Sequence, residues 1–266
     1  MQTCDSRQGD FNVFKNKLKK ALYEGQACYG TLICNNSPDI VEICGLVGFD
    51  FVILDLEHGY MSPESMVHLI RAAEVTGMTP ITRVTENSET IILRSLDVGT
   101  HGIQVPMVND AAAARLAVRR AKYYPEGMRG VAFPRSSNYG LSPLFDYFKE
   151  ANDETLVVVQ CENLEGLNNL EEIAAVPGID VIFLGPFDLS QSFGIPGQVE
   201  DMRVQEAAAR VIQVCREHGK IPGIYCSTAE DARQKADQGF KYIPIGVDST
   251  LIAEAFKRVV DTVKNR

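Results

Sequence analysis

At 266 residues, with 45% hydrophobic and 23% charged side chains, the chain suits one large globular domain that buries its core without disulfide staples. Its net charge of −9 excludes a nucleic-acid surface, which needs clustered Lys and Arg, but not an anionic small substrate, for which one or two local cations suffice. The seven cysteines are scattered and free of any C-x-x-C pair, and no secretory leader or apolar run near the ~20 residues of a membrane helix is visible, which predicts a cytoplasmic protein with reduced thiols and no membrane partner.

Residues 1–12 are polar and read as an N-terminal extension; 13–266 read as one domain. From Cys28 onward, short β-branched apolar runs alternate with helical patterns. Strands are predicted at Tyr29–Cys34, Phe51–Leu54, Pro80–Arg83, Gly102–Val105, Leu156–Cys161, Val181–Leu184, Pro222–Tyr225 and Tyr242–Ile245. Amphipathic helices fall between them, as at Pro63–Val75, Asn109–Ala121 and Val204–His218. Strands that are apolar throughout, rather than alternating, are those buried on both faces. Eight strand–helix repeats with no interrupting linker predict an α/β fold, a single (β/α)8 TIM barrel, with an open doubly wound sheet as the competing reading. The stretch Tyr123–Leu141, placed after the fourth strand, carries Pro125, Gly127, Gly130, Pro134 and Gly140. A connection of that length predicts a lid or binding loop.

In such a barrel, chemistry belongs at the C-terminal ends of the strands. Glu57 and His58 follow the second strand, Arg83 closes the third, Glu162 follows the fifth, and Asp188, Ser227 and Asp248 follow the last three. Glu162 and Asp188 come after consecutive strands, so their carboxylates can face one another; like charges that close repel unless a cation lies between them. With no Cys or His ligand beside them, the ion implied is hard and oxygen-preferring: Mg2+, Mn2+ or Co2+. The plainer alternative is that each carboxylate caps the helix behind it. A 2-oxo acid chelates one such ion through its carboxylate and keto oxygens, and Lewis acidity there assists cleavage of the adjacent carbon–carbon bond. Arg83 adds positive charge at the developing oxyanion, where a preorganised donor is worth roughly 3 kcal/mol, or else forms a rim salt bridge. Gln160 points into the barrel, toward substrate or toward a core hydrogen bond. Of the four histidines only His58 stands at a strand's C-terminal end, with an ordinary pKa of ~6.5 suited to proton transfer. Glu57 is placed to orient water, and Asp55 to brace the strand end.

The run F-D-F-V-I-L-D-L-E-H-G, followed in order by P-I-T-R-V, L-D-V-G-T-H-G-I-Q-V-P, Y-P-E-G-M-R-G, V-V-Q-C-E-N, F-L-G-P-F-D-L-S and I-G-V-D-S-T, resembles the HpcH/HpaI aldolase family, from about Phe14 to Val263. The resemblance implies a phosphoenolpyruvate/pyruvate-type barrel and a class II aldolase that splits a 4-hydroxy-2-oxo acid into pyruvate and an aldehyde. It implies His58 as catalytic base, Arg83 as oxyanion stabiliser, Glu162 and Asp188 as ligands of one divalent cation, and Gln160 with the backbone of Phe187 and Asp188 as pyruvate contacts. An aspartate matching Asp97 supports the histidine in the family. Asp97 ends the helix after the third strand, at the opposite barrel face from its own His58, so the pairing implies a neighbouring subunit. A homo-oligomer, a hexamer built as a trimer of dimers, is implied in turn. Phe187 stands where relatives often carry a small residue and predicts a tighter, more apolar pocket; Cys161 replaces an aliphatic residue and is expected to behave as a small hydrophobe. Phe133, Arg135 and Tyr139 in the long loop are expected either to select the aldehyde or to lie free at the surface. The competing functions are an oxaloacetate decarboxylase or synthase on the same chemistry, a CoA-ester lyase, for which no basic cluster is visible, and a non-catalytic metabolite-binding barrel.

Overall fold

The computed structural model describes residues 14–264; the polar extension read over 1–12 therefore lies outside the described residues. Eight parallel strands close into a barrel in chain order: β1 (Cys28–Ile33), β2 (Phe51–Asp55), β3 (Thr79–Arg83), β4 (Gly102–Val105), β5 (Leu156–Cys161), β6 (Val181–Leu184), β7 (Ile221–Ile224) and β8 (Tyr242–Val247). The predicted barrel is thus the observed one, and three of the eight strand ranges coincide with it end to end. β2, β4, β5, β6 and β7 are buried along their whole length, which is why they read as unbroken apolar runs.

Alternation sorts each strand's side chains into two layers. Leu156 and Val158 point into the barrel with Phe51, Ile53, Ile81, Val181 and Tyr242. Val157, Val159 and Cys161 point outward against the helices. The short helix α1 (Lys17–Tyr23) precedes the first strand, and its Leu18 and Leu22 complete the interior cluster. Cys161 behaves as expected of a small hydrophobe: it is 1% exposed, and burial above all pushes its thiol up to about 12.

The remaining helices are α2 (Pro38–Leu46), α3 (Pro63–Thr76), α4 (Glu89–Asp97), α5 (Ala111–Ala121), α6 (Leu144–Glu154), α7 (Leu164–Asn168), α8 (Leu170–Ala174), α9 (Pro186–Ser192), α10 (Met202–Glu217), α11 (Ala229–Gln238) and α12 (Asp248–Val263). None is long and apolar enough to cross a membrane.

One feature departs from the sequence reading. The long connection begins only after the 11 residues of α5, which carry the chain about 16 Å back along the barrel. The connection therefore sits at the N-terminal end, away from the rim where chemistry is expected, and is no lid over its own barrel. There Arg129 Nη2 donates to Asp97 at 2.7 Å, and Arg135 Nη1 donates to Glu74 Oε1 at 3.3 Å and to the Val98 carbonyl at 3.4 Å. Phe133 and Tyr139 of the same loop are exposed. The last helix, α12, buries only its first residue, Asp248; Phe256, Val259 and Val263 along it are exposed. Ile43 and Leu46 on α2, and Val47 that caps it, are exposed too.

Candidate active site

Within the eight strands the only charged residues are Asp55 and Arg83, which are register partners on β2 and β3. Asp55 is fully buried and organises the rim. Its Oδ1 accepts from Arg83 Nε at 2.9 Å, from the Glu57 N–H at 3.0 Å and from the His58 N–H at 3.3 Å. Its Oδ2 accepts from Arg83 Nη2 at 2.7 Å and from Cys34 Sγ at 3.4 Å. Burial pushes the Asp55 carboxyl up, but the two-pronged Arg83 contact and the backbone donors outweigh it and hold the group below the usual carboxylate range. The expected brace at the strand end is therefore real, and the rim salt bridge weighed for Arg83 is real as well. Arg83 Nη1 remains 3.3 Å from Glu57 Oε2. Glu57 is pushed up by burial and by the charges of Asp55 and Asp188, against the pull of Arg83 and His58.

His58 lies three residues past Asp55 in the turn that Asp55 ties down, with its side chain exposed. Glu162 follows β5 and is 4% exposed. Its Oε1 accepts from the Met107 N–H at 2.7 Å, and its Oε2 accepts from Gln160 Nε2. Met107 adopts φ +52°, a left-handed backbone rare outside glycine, and this turn after β4 aims its N–H at the carboxylate. Burial, with smaller contributions from Glu57 and Asp188, pushes the Glu162 carboxyl up against those two hydrogen bonds.

Asp188 sits in the first turn of α9, exposed toward the pocket mouth, and Gly185 caps that helix. A Cβ at Gly185 would lie 2.9 Å from Glu162 Cβ, 3.1 Å from Glu162 Oε2 and 3.8 Å from Asp188 Oδ2. The two carboxylates thus border one small space that a larger residue would fill. The cavity there measures about 290 Å³ and is lined by Arg83, Gln104, Gln160, Glu162 and Asp188, with Phe187 among its apolar residues. Phe187 packs edge-on against Tyr225, ring centroids 5.9 Å apart, which gives the apolar wall expected of it.

Among the described residues no group of three or more His, Cys, Asp or Glu is placed to hold a metal. Glu162 and Asp188 offer an all-oxygen pair instead, suited to a hard divalent cation completed by water and substrate. A carboxylate pushed up by burial, and further by neighbouring negative charge, is what such a cation relieves. Asp97 is not brought to His58 within the chain; it ends α4 and is taken up by Arg129. The sequence reading missed Met107, Gln104 and Tyr225. For Met107, a turn straight after a strand end was the available signal.

Residues 29–255 match the family model described as HpcH/HpaI aldolase/citrate lyase. A 5-keto-4-deoxy-D-glucarate aldolase of Escherichia coli (strain K12) is 34% identical over 253 residues, which span 95% of this chain and 98% of that one. Among solved structures, the citrate synthase SbnG is similar with 34% identity and a TM-score of 0.86, over 93% of this chain and 97% of its own. An HpcH/HpaI aldolase/citrate lyase family protein from Burkholderia cenocepacia J2315 aligns at 29% identity and a TM-score of 0.88, over 94% and 100%.

Proposed function

The chain belongs to the HpcH/HpaI aldolase/citrate lyase family and is a carbon–carbon lyase, and from that premise we propose that it reversibly cleaves a 4-hydroxy-2-oxo acid to pyruvate and an aldehyde with the help of one divalent cation. The observation that carries this reading is the pair of carboxylates, Glu162 and Asp188, bordering one space beside Arg83 in an otherwise largely apolar pocket. Glu162 and Asp188 would hold the cation, Mg2+, Mn2+ or Co2+. When bound, it supplies Lewis acidity to a 2-oxo acid.

The chain's own residues do the rest. Arg83, clamped by Asp55 and backed by Glu57, presents a fixed positive charge where negative charge builds on the substrate's keto oxygen. Gln160 and the backbone at Phe187 and Asp188 orient the pyruvate portion. His58 takes the proton of the 4-hydroxyl in cleavage and returns it in the reverse direction. The Phe187–Tyr225 wall narrows the cavity and keeps water from the carbanion-like intermediate.

5-Keto-4-deoxy-D-glucarate, which gives the Escherichia coli relative its name, is the first substrate to try. The likeness to a citrate synthase favours a second reading, in which oxaloacetate is the 2-oxo acid. Incubation with each compound, with and without a chelator, separates the two. The aldolase reading expects chelator-sensitive pyruvate release from the first and little from the second. Release that ignores the chelator would refute the cation's part.

We also propose a homo-oligomer, a trimer of dimers, working in a reducing cytoplasm. Its support is the uncovered apolar face of α12, the equally uncovered face of α2, and the six free cysteines of the described residues. In such an assembly Asp97 of one subunit faces His58 of the partner subunit.

A further inference from the structure

A column of polar side chains crosses the barrel interior beneath the pocket. Tyr242 Oη donates to Gln104 Oε1 at 3.1 Å, Gln104 Nε2 donates to Gln160 Oε1 at 2.6 Å, and Gln160 Nε2 donates to Glu162 Oε2. The four residues are 0%, 1%, 1% and 4% exposed. β8 and β4 stand on opposite sides of the closed barrel, so Tyr242 and Gln104 together bridge it. Its ring is fixed by stacking on Phe51, centroids 4.4 Å apart, and by the edge contact with Phe183 at 5.9 Å.

Direction in this column is set from one end. An ionised carboxylate only accepts, so Gln160 must turn its NH2 toward Glu162 and its carbonyl toward Gln104. Gln104 must then turn its own carbonyl toward Tyr242, whose hydroxyl is the one donor that satisfies it there. Without that hydroxyl, a buried amide oxygen lacks its partner, and flipping Gln104 to compensate would set its carbonyl against that of Gln160. Linked bonds in a low-dielectric interior also polarise one another.

We infer that Gln104 and Tyr242 are positioning residues that lock the Gln160 amide and, through it, aim the Glu162 carboxylate at the space shared with Asp188. This rests on the reading of Glu162 as a cation ligand. Partners one step behind a ligand commonly change metal affinity 10–100-fold when removed.

The test is Mn2+ binding, followed by electron paramagnetic resonance of the free ion, for the wild type, Tyr242→Phe, Gln104→Met, their double variant and Glu162→Gln as control. Tyr242→Phe keeps the ring that packs on Phe51 and Phe183. Each single variant is expected to raise the Mn2+ Kd about tenfold. The double variant should lose no more than the worse single one, because the two residues act through one chain of bonds. A merely structural role would lower the melting temperature and leave the Kd unmoved. Folded variants with wild-type Kd, strictly additive losses, or unfolding of both single variants would overturn the inference while leaving the cation reading intact, provided that Glu162→Gln abolishes binding. A wild type without Mn2+ affinity would remove the cation reading and this inference together.

Discussion

Arg83 owes its usefulness to Asp55, and each residue makes sense only through the other. Arg83→Lys keeps the charge but loses the planar fork that Asp55 grips at two points. We expect kcat to fall roughly 100-fold or more, read by steady-state pyruvate release; an unchanged kcat would take Arg83 out of the reaction. Asp55→Asn takes the two-pronged counter-charge from a nearly buried guanidinium and leaves it only Glu57, 3.3 Å away, which costs about 3 kcal/mol in a urea titration. The pH dependence follows in sign. Asp55 titrates lower in the folded protein than in the unfolded chain, so its contribution is complete above the unfolded value of about 4 and is lost as pH falls from there through the folded value. The stability gap between wild type and Asp55→Asn should therefore narrow below about pH 4 and stay constant from pH 5 to 7. The brace was legible because a carboxylate closing an apolar strand has few other uses. Met107 was not: its contribution comes from a left-handed backbone angle, which leaves no mark on hydropathy.

At the scale of elements, the junction between β6 and α9 is where geometry is tightest. Gly185→Ala puts a methyl 2.9 Å from Glu162 Cβ, closer than carbon atoms pack, so the two carboxylates must part. Mn2+ affinity is expected to drop at least tenfold with the circular dichroism spectrum preserved; retained affinity would mean that the space is not where the ion sits. The strands were readable because burial on both faces leaves few polar residues to blur them, and their ends moved by a residue or two where Thr79 and Asp55 extend the ladder. The end of the barrel reached by the long loop was misjudged because the connection was counted from β4 without the axial return of α5. Periodicity reports that a helix exists, not which rim its far end reaches.

For the whole molecule, the proposed assembly turns on the uncovered faces of α12 and α2. Their exposed Phe256, Val259, Val263, Leu46 and Val47 exceed what a lone barrel ordinarily leaves to water. Phe256→Asp with Val259→Asp should shift sedimentation from oligomer to monomer and leave the barrel folded, whereas a wild type that is monomeric from the outset would end this part of the reading. Mixing inactive His58→Ala with inactive Asp97→Ala should restore part of the activity if each site draws on two subunits. No such recovery is expected if every site is built from one chain. Neither outcome could have been read from periodicity, because an amphipathic helix looks the same whether it covers its own strands or someone else's.

The polar column inside the barrel has a bearing on engineering. The lower half of the interior, where Leu18, Leu22, Leu156 and Val181 meet, is aliphatic and can be refilled or enlarged like any hydrocarbon core. The storey above it, where Tyr242, Gln104 and Gln160 join hands, admits no such freedom, since an aliphatic replacement there trades catalytic alignment for hardiness. A campaign for heat resistance should work from the floor upward and stop beneath the tyrosine.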